Sequence, residues 1–132
     1  YMSSNNRPLS PHLDVYSLPL SALISIVHRG TGAFLTIGSI VLVWWLMALA
    51  GGEEAFMSAQ SFMGSFFGRL ILFGWSFALF FHLANGIRHL IWDAGYGFEK
   101  EAVEKSSLIV IGTAGFLTFF VWVIAFSFGI GA

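Results

Sequence analysis

The chain has 132 residues, of which 57% are hydrophobic and only 10% charged, with a mean hydropathy of +0.81. A soluble domain carries about 25% charged residues and a disordered one few aromatics, so both classes are excluded here, where aromatics reach 17%. Six Lys+Arg against seven Asp+Glu leave no basic footprint for nucleic acid, and the absence of cysteine excludes thiolate metal sites and iron–sulfur clusters held by this chain. The composition is that of an integral membrane protein, all-α, in one domain spanning 1–132.

Residues 1–17 are polar and contain Pro8 and Pro11. Arg7 is followed by Pro-Leu-Ser-Pro rather than an apolar run, so this segment does not read as a secretory signal. Ser17-Leu-Pro19 is a helix start, and Gly51-Gly52 a stop, which places a first transmembrane helix at about 20–50. Its second part, Ala33 to Ala50, is uncharged over 18 residues.

A short loop with Glu53 and Glu54 is expected next. From Ala55 to Ile87 the only ionisable residues are Arg69 and His82. A second helix is therefore expected at about 58–92, long enough to project beyond a core of roughly 30 Å or to tilt strongly. Gly64 and Gly68 form a small-xxx-small pair that would let a neighbouring helix approach; the alternative is that the spacing is incidental. Gly95 and Gly97 break the chain, and a third helix follows at about 106–130, free of charge from Ser106 onwards. Arg7, Arg29, Arg88, Lys100 and Lys105 share one side of this three-span plan. That side, with the N-terminus, is expected to face the cytoplasm or, in a mitochondrion, the matrix.

Ionisable side chains within a membrane need a partner or a task. His82 and His89 are seven residues apart, within roughly 20° on a helix and about 10.5 Å along its axis. Gly86 lies between them, Asp93 continues the face, and Arg88 points elsewhere. Such a face suits a flat cofactor such as haem, with His82 deep enough for an axial ligand and His89 level with the propionates. Two histidines on one helix face cannot ligate one iron from both sides, so a second ligand would come from another helix; with His28 expected to be too shallow, that helix would belong to a partner chain. The alternative is a buried, hydrogen-bonded structural histidine. On the first helix Ser25 and Arg29 share a face, with His28 beside them. They would hydrogen-bond a carbonyl headgroup or a carboxylate; alternatively Ser25 bonds its own helix and Arg29 snorkels to lipid phosphate. The Trp residues read mostly as interfacial belt residues. No hydrolase motif is present.

Three runs carry a family resemblance: Arg7-Pro-Leu-Ser-Pro-His12-Leu13, Ser25-Ile-Val-His28-Arg29-Gly-Thr-Gly32, and His82-Leu-Ala-Asn-Gly86-Ile-Arg88-His89-Leu-Ile-Trp-Asp93. They resemble the cytochrome b subunits of succinate dehydrogenase, the larger membrane anchor of succinate:quinone oxidoreductase (respiratory complex II). The resemblance covers nearly the whole chain; the last run is its most specific part, and the third helix adds little.

It implies a redox-enzyme subunit in a bacterial cytoplasmic or mitochondrial inner membrane, forming half of a haem-containing bundle with a second anchor subunit. A flavoprotein subunit would oxidise succinate, and an iron–sulfur subunit would pass electrons to ubiquinone. His82 would be one axial ligand of haem b, with the other supplied by the partner anchor. His28, Arg29 and His89 would lie in the haem propionate environment, and Ser25, Arg29, Ile26 and Leu13 would line the quinone site. Rival expectations are a haem-free structural anchor and a small transporter component, the latter disfavoured by three helices without an inverted repeat.

Overall fold

The computed structural model describes residues 20–129, which form four helices: α1 (Leu20–Ala50), α2 (Glu53–Met63), α3 (Phe66–Asp93) and α4 (Lys100–Ser127). α1, α3 and α4 are each long and apolar enough to cross a membrane. At 1.5 Å per residue they measure roughly 42–46 Å, beyond a 30 Å core. Helices are the form such segments take because the hydrocarbon offers backbone amides no other partner. Leu13 and the Ser17-Leu-Pro19 helix start lie outside the described residues, as does the far end of the third predicted helix, which the structure ends at Ser127.

The second predicted helix is divided. Glu53 and Glu54 do not form a loop but open α2, where their charge complements the helix N-terminus. Gly52 caps it with φ 110°, a conformation that only glycine adopts readily. α2 ends at Gly64, and α3 begins after Ser65, whose Oγ accepts from Gly68 N at 3.2 Å. This break replaces one over-long helix by a short one packed on α1, where Trp45 Nε1 donates to Gln60 Oε1 at 2.7 Å. Gly68 is required at this corner of the chain itself: a Cβ there would run into the carbonyl oxygens of Phe62 and Met63. Gly68→Ala is expected to destabilise the chain by about 1–3 kcal/mol, the usual range for overpacking, read as a lower melting temperature in detergent.

α3 is the central element, packed on both α1 and α4. Ile24, Phe81, Val110 and Ala114 from these three helices form the apolar core. The interior also holds polar side chains, Thr31, Asn85, Arg88, Ser107 and Thr118, while long apolar side chains face outward. That inversion suits a lipid surround. Thr118 and Ser107 satisfy themselves by donating to the carbonyls four residues earlier, at 2.7 and 2.9 Å.

Arg88 faces α4, away from the histidine face. Its Nη1 donates to Ser107 Oγ at 2.5 Å and to Val103 O at 3.3 Å, and its guanidinium lies 4.4 Å from the Trp92 ring. Trp92 in turn donates to Gly97 O at 3.1 Å, tying down the glycine turn between α3 and α4. The exposed Lys105–Glu101 pair at 3.7 Å adds little.

Candidate functional site: an imidazole cluster between α1 and α3

The histidines predicted on two helices come together. His28 of α1 stacks on His82 of α3 with ring centroids 3.9 Å apart and planes within 6°. His89 lies 5.4 Å from His28 and meets Trp92 edge-on at 4.9 Å. The space between His82 and His89 along α3 is thus bridged by an imidazole from the neighbouring helix. Gly86, on the same face, has open space where a Cβ would stand. Asp93, expected to continue the face, is exposed.

Two residues that sequence reasoning passed over define the surroundings of His82. Thr31 Oγ1 lies 3.1 Å from His82 Nδ1, and its hydroxyl donates to His28 O at 2.9 Å. A hydroxyl has one proton. In the arrangement where Thr31 gives that proton to the carbonyl, it accepts from His82 and Nδ1 carries the hydrogen. Nε2 is then the basic nitrogen, with its lone pair available to a metal. Gly32 is the second. A Cβ at that position would stand 3.1 Å from His82 Cε1, so glycine lets the imidazole lie against α1. Both residues belong to the run Ser25–Gly32, and the available signal was a hydroxyl three residues after His28, one helical turn away.

The remaining predicted residues are placed differently. Ser25 is half-buried, and Arg29 and Ile26 are exposed, on the N-terminal part of α1. The structure thus puts Ser25, His28 and Arg29 within one turn of each other but leaves the Arg29 guanidinium facing outward. Leu13 lies outside the described residues. Asn85, three residues from both His82 and Arg88, is fully buried, and neither atom of its amide has a partner among the described residues.

The residues fit a haem. A His82 held at Nδ1 rather than Nε2, an open glycine between two histidines, and a buried His28 Nδ1 without a partner among the described residues make a site with unused polar capacity beside room for a flat group. Fold and site together define a three-span membrane protein carrying an interhelical imidazole cluster.

Comparison with known proteins places it. A model of the succinate dehydrogenase/fumarate reductase transmembrane subunits matches residues 3–126. The succinate dehydrogenase cytochrome b556 subunit of Paracoccus denitrificans is 43% identical over 127 residues, 96% of this chain and 98% of that one. The b556 subunit of Rickettsia felis is 40% identical over 119 residues (90% and 93%), and the b560 subunit of Reclinomonas americana 36% over 124 residues (90% and 86%). The chain belongs to the family of succinate dehydrogenase and fumarate reductase transmembrane subunits, and its role is that of a membrane anchor.

Proposed function

We propose that this chain is the cytochrome b anchor of a succinate:quinone oxidoreductase, holding haem b against a second anchor subunit and contributing to the site where ubiquinone is reduced. The observation that carries the proposal is the Thr31–His82 contact at 3.1 Å, which engages His82 at Nδ1 and not at Nε2, on a helix face shared with Gly86 and His89. Haem b, when bound, supplies a one-electron iron centre. His82 would hold its iron from this chain, together with a histidine of the partner anchor. His28 and His89 would hydrogen-bond the propionates, joined by Arg29 at the membrane surface.

At the quinone site the tasks divide by chemistry. Ser25 would donate its hydroxyl proton in a hydrogen bond to one quinone oxygen. Arg29 would neutralise negative charge on the reacting oxygen as electrons arrive, a contribution that grows where water is excluded. Ile26 and Leu13 would form apolar wall against the ring. Electrons would come from the iron–sulfur subunit and ultimately from succinate at the flavoprotein. The Lys/Arg distribution supports the N-terminal side as the cytoplasmic or matrix side, where those soluble subunits would dock.

The test is a dithionite-reduced minus oxidised optical spectrum of the purified complex, wild type beside His82→Leu. A b-type α-band in wild type that is lost or shifted in the variant is the expected result. Unchanged spectra in both would assign the iron to other ligands, and the absence of any haem band in fully assembled wild type would make this chain a haem-free anchor.

A further inference from the structure

Trp92 stands one turn beyond His89 at the end of α3, where its residue type alone makes it an interfacial belt residue. In the structure it is half-buried and fastened on several sides. Its backbone is closed: Gly95 N donates to Trp92 O at 2.8 Å and Tyr96 N to Ile91 O at 3.2 Å, with Gly95 at φ 96°, the paired bonds of a Schellman end. The indole Nε1 donates across the turn to Gly97 O at 3.1 Å. Arg88, itself bonded to Ser107 and Val103 of α4, lies over the ring at 4.4 Å. An indole has two side-chain torsions, and these contacts constrain both.

His89 is held differently. Among the described residues its ring has packing neighbours rather than hydrogen-bond partners: Trp92 at 4.9 Å with planes 79° apart, and His28 at 5.4 Å with planes 41° apart. Residues three apart on a helix share a face, so the indole stands beside the imidazole. A perpendicular arrangement is one that aromatic rings favour. A ring fixed at its far side by the turn thus meets a ring whose nitrogens are uncommitted to other side chains.

We propose that Trp92 is a positioning residue for His89: held by Gly97 and Arg88, its indole sets the plane in which the His89 imidazole presents its nitrogens to the haem propionates. The inference rests on the reading of His89 given above. Propionates are carboxylates and accept hydrogen bonds, and a donor whose ring is already oriented loses less conformational freedom in reaching them. The bond to Gly97 O fixes the indole without Arg88, so the turn between α3 and α4 is tied to the histidine face through one side chain.

The experiment uses the intact complex with isotope-labelled histidine, comparing wild type with Trp92→Leu and Trp92→Phe. Solid-state NMR reads the His89 ring, identified as the signal that His89→Ala removes, and resonance Raman reads the propionate bending modes. Wild type is expected to give one His89 ring signal. Trp92→Leu is expected to split or broaden it and to shift the propionate modes, with haem lost about three to ten times faster, the size of one aromatic pair. Trp92→Phe keeps an aromatic face without the bond to Gly97 and is expected to lie between; it decides alone if Trp92→Leu does not assemble. In a His89→Ala background Trp92→Leu is expected to shift the propionate modes no further, a coupling that a packing role alone would not produce. A single, unmoved His89 signal in both variants overturns the proposal. So does an equal shift of the propionate modes with and without His89. The His89 signal reports on Trp92 whether or not haem is bound, so failure of the haem reading and failure of this inference are separate results.

Discussion

With haem held as proposed, Thr31→Val should leave the chain assembled while weakening haem retention by about 10–100-fold, the range for removing a partner that orients a metal-bound histidine. Valine keeps the shape and volume of threonine and removes only the hydroxyl. With the hydroxyl gone, His82 Nδ1 loses the acceptor 3.1 Å away, and the imidazole is free to take the other tautomer or to turn. Either change withdraws the Nε2 lone pair. The measurement is the haem-to-protein ratio after extended washing, together with the midpoint potential of the remaining haem. Thr31→Ser restores the hydroxyl and is expected to restore both. A Thr31→Val complex with wild-type haem content and potential would show that the partner subunit, and not α1, orients His82. A fall in melting temperature alone, with haem unchanged, would make Thr31 a packing residue.

Arg88→Ala is expected to act on a different property. Arg88 is buried and joins α3 to α4 by its bonds to Ser107 and Val103 and by its stack on Trp92. Hydrogen bonds from a charged donor contribute about 1.5–3 kcal/mol each, and a desolvated cation–π contact about 2 kcal/mol. Burying the guanidinium costs several kcal/mol in return. Ser107 does not become an orphan in the variant, because its hydroxyl already donates to Val103 O. The expected net loss is about 2–3 kcal/mol, seen as a lower melting temperature with the haem spectrum retained. Arg88→Lys keeps the charge but not the planar fork, so it is expected to recover less than half of that loss. Loss of haem at unchanged melting temperature would instead place Arg88 among the residues acting on the cofactor.

Much of the site was legible in the residue order. A seven-residue spacing puts His82 and His89 on one helix face whatever surrounds them, and the same geometry turns Arg88 away from that face. Three apolar stretches separated by glycines and charges specify three spans, because in hydrocarbon only an internally hydrogen-bonded helix is tolerated. The long second stretch was misread as one helix. The stretch is less apolar over α2 than over α3 but carries no charge between Ala55 and Arg69, and the break at Gly64–Ser65 depends on a side-chain cap and on α2 packing against Trp45 of α1, neither of which a hydropathy pattern reports.

The rotation of α1 against α3 was decided only in three dimensions. Periodicity assigns each residue an angle on its own helix; it does not say which angle meets the neighbour. Gly32 lets the His82 ring lie against α1, and that contact brings His28 into the stack and Thr31 to the ring nitrogen. Composition and spacing by themselves determined a three-span protein with a histidine face on its second span. Tertiary packing decided which group faces His82 Nδ1, because that partner, Thr31, comes from across the helix interface and not from any neighbour in the chain.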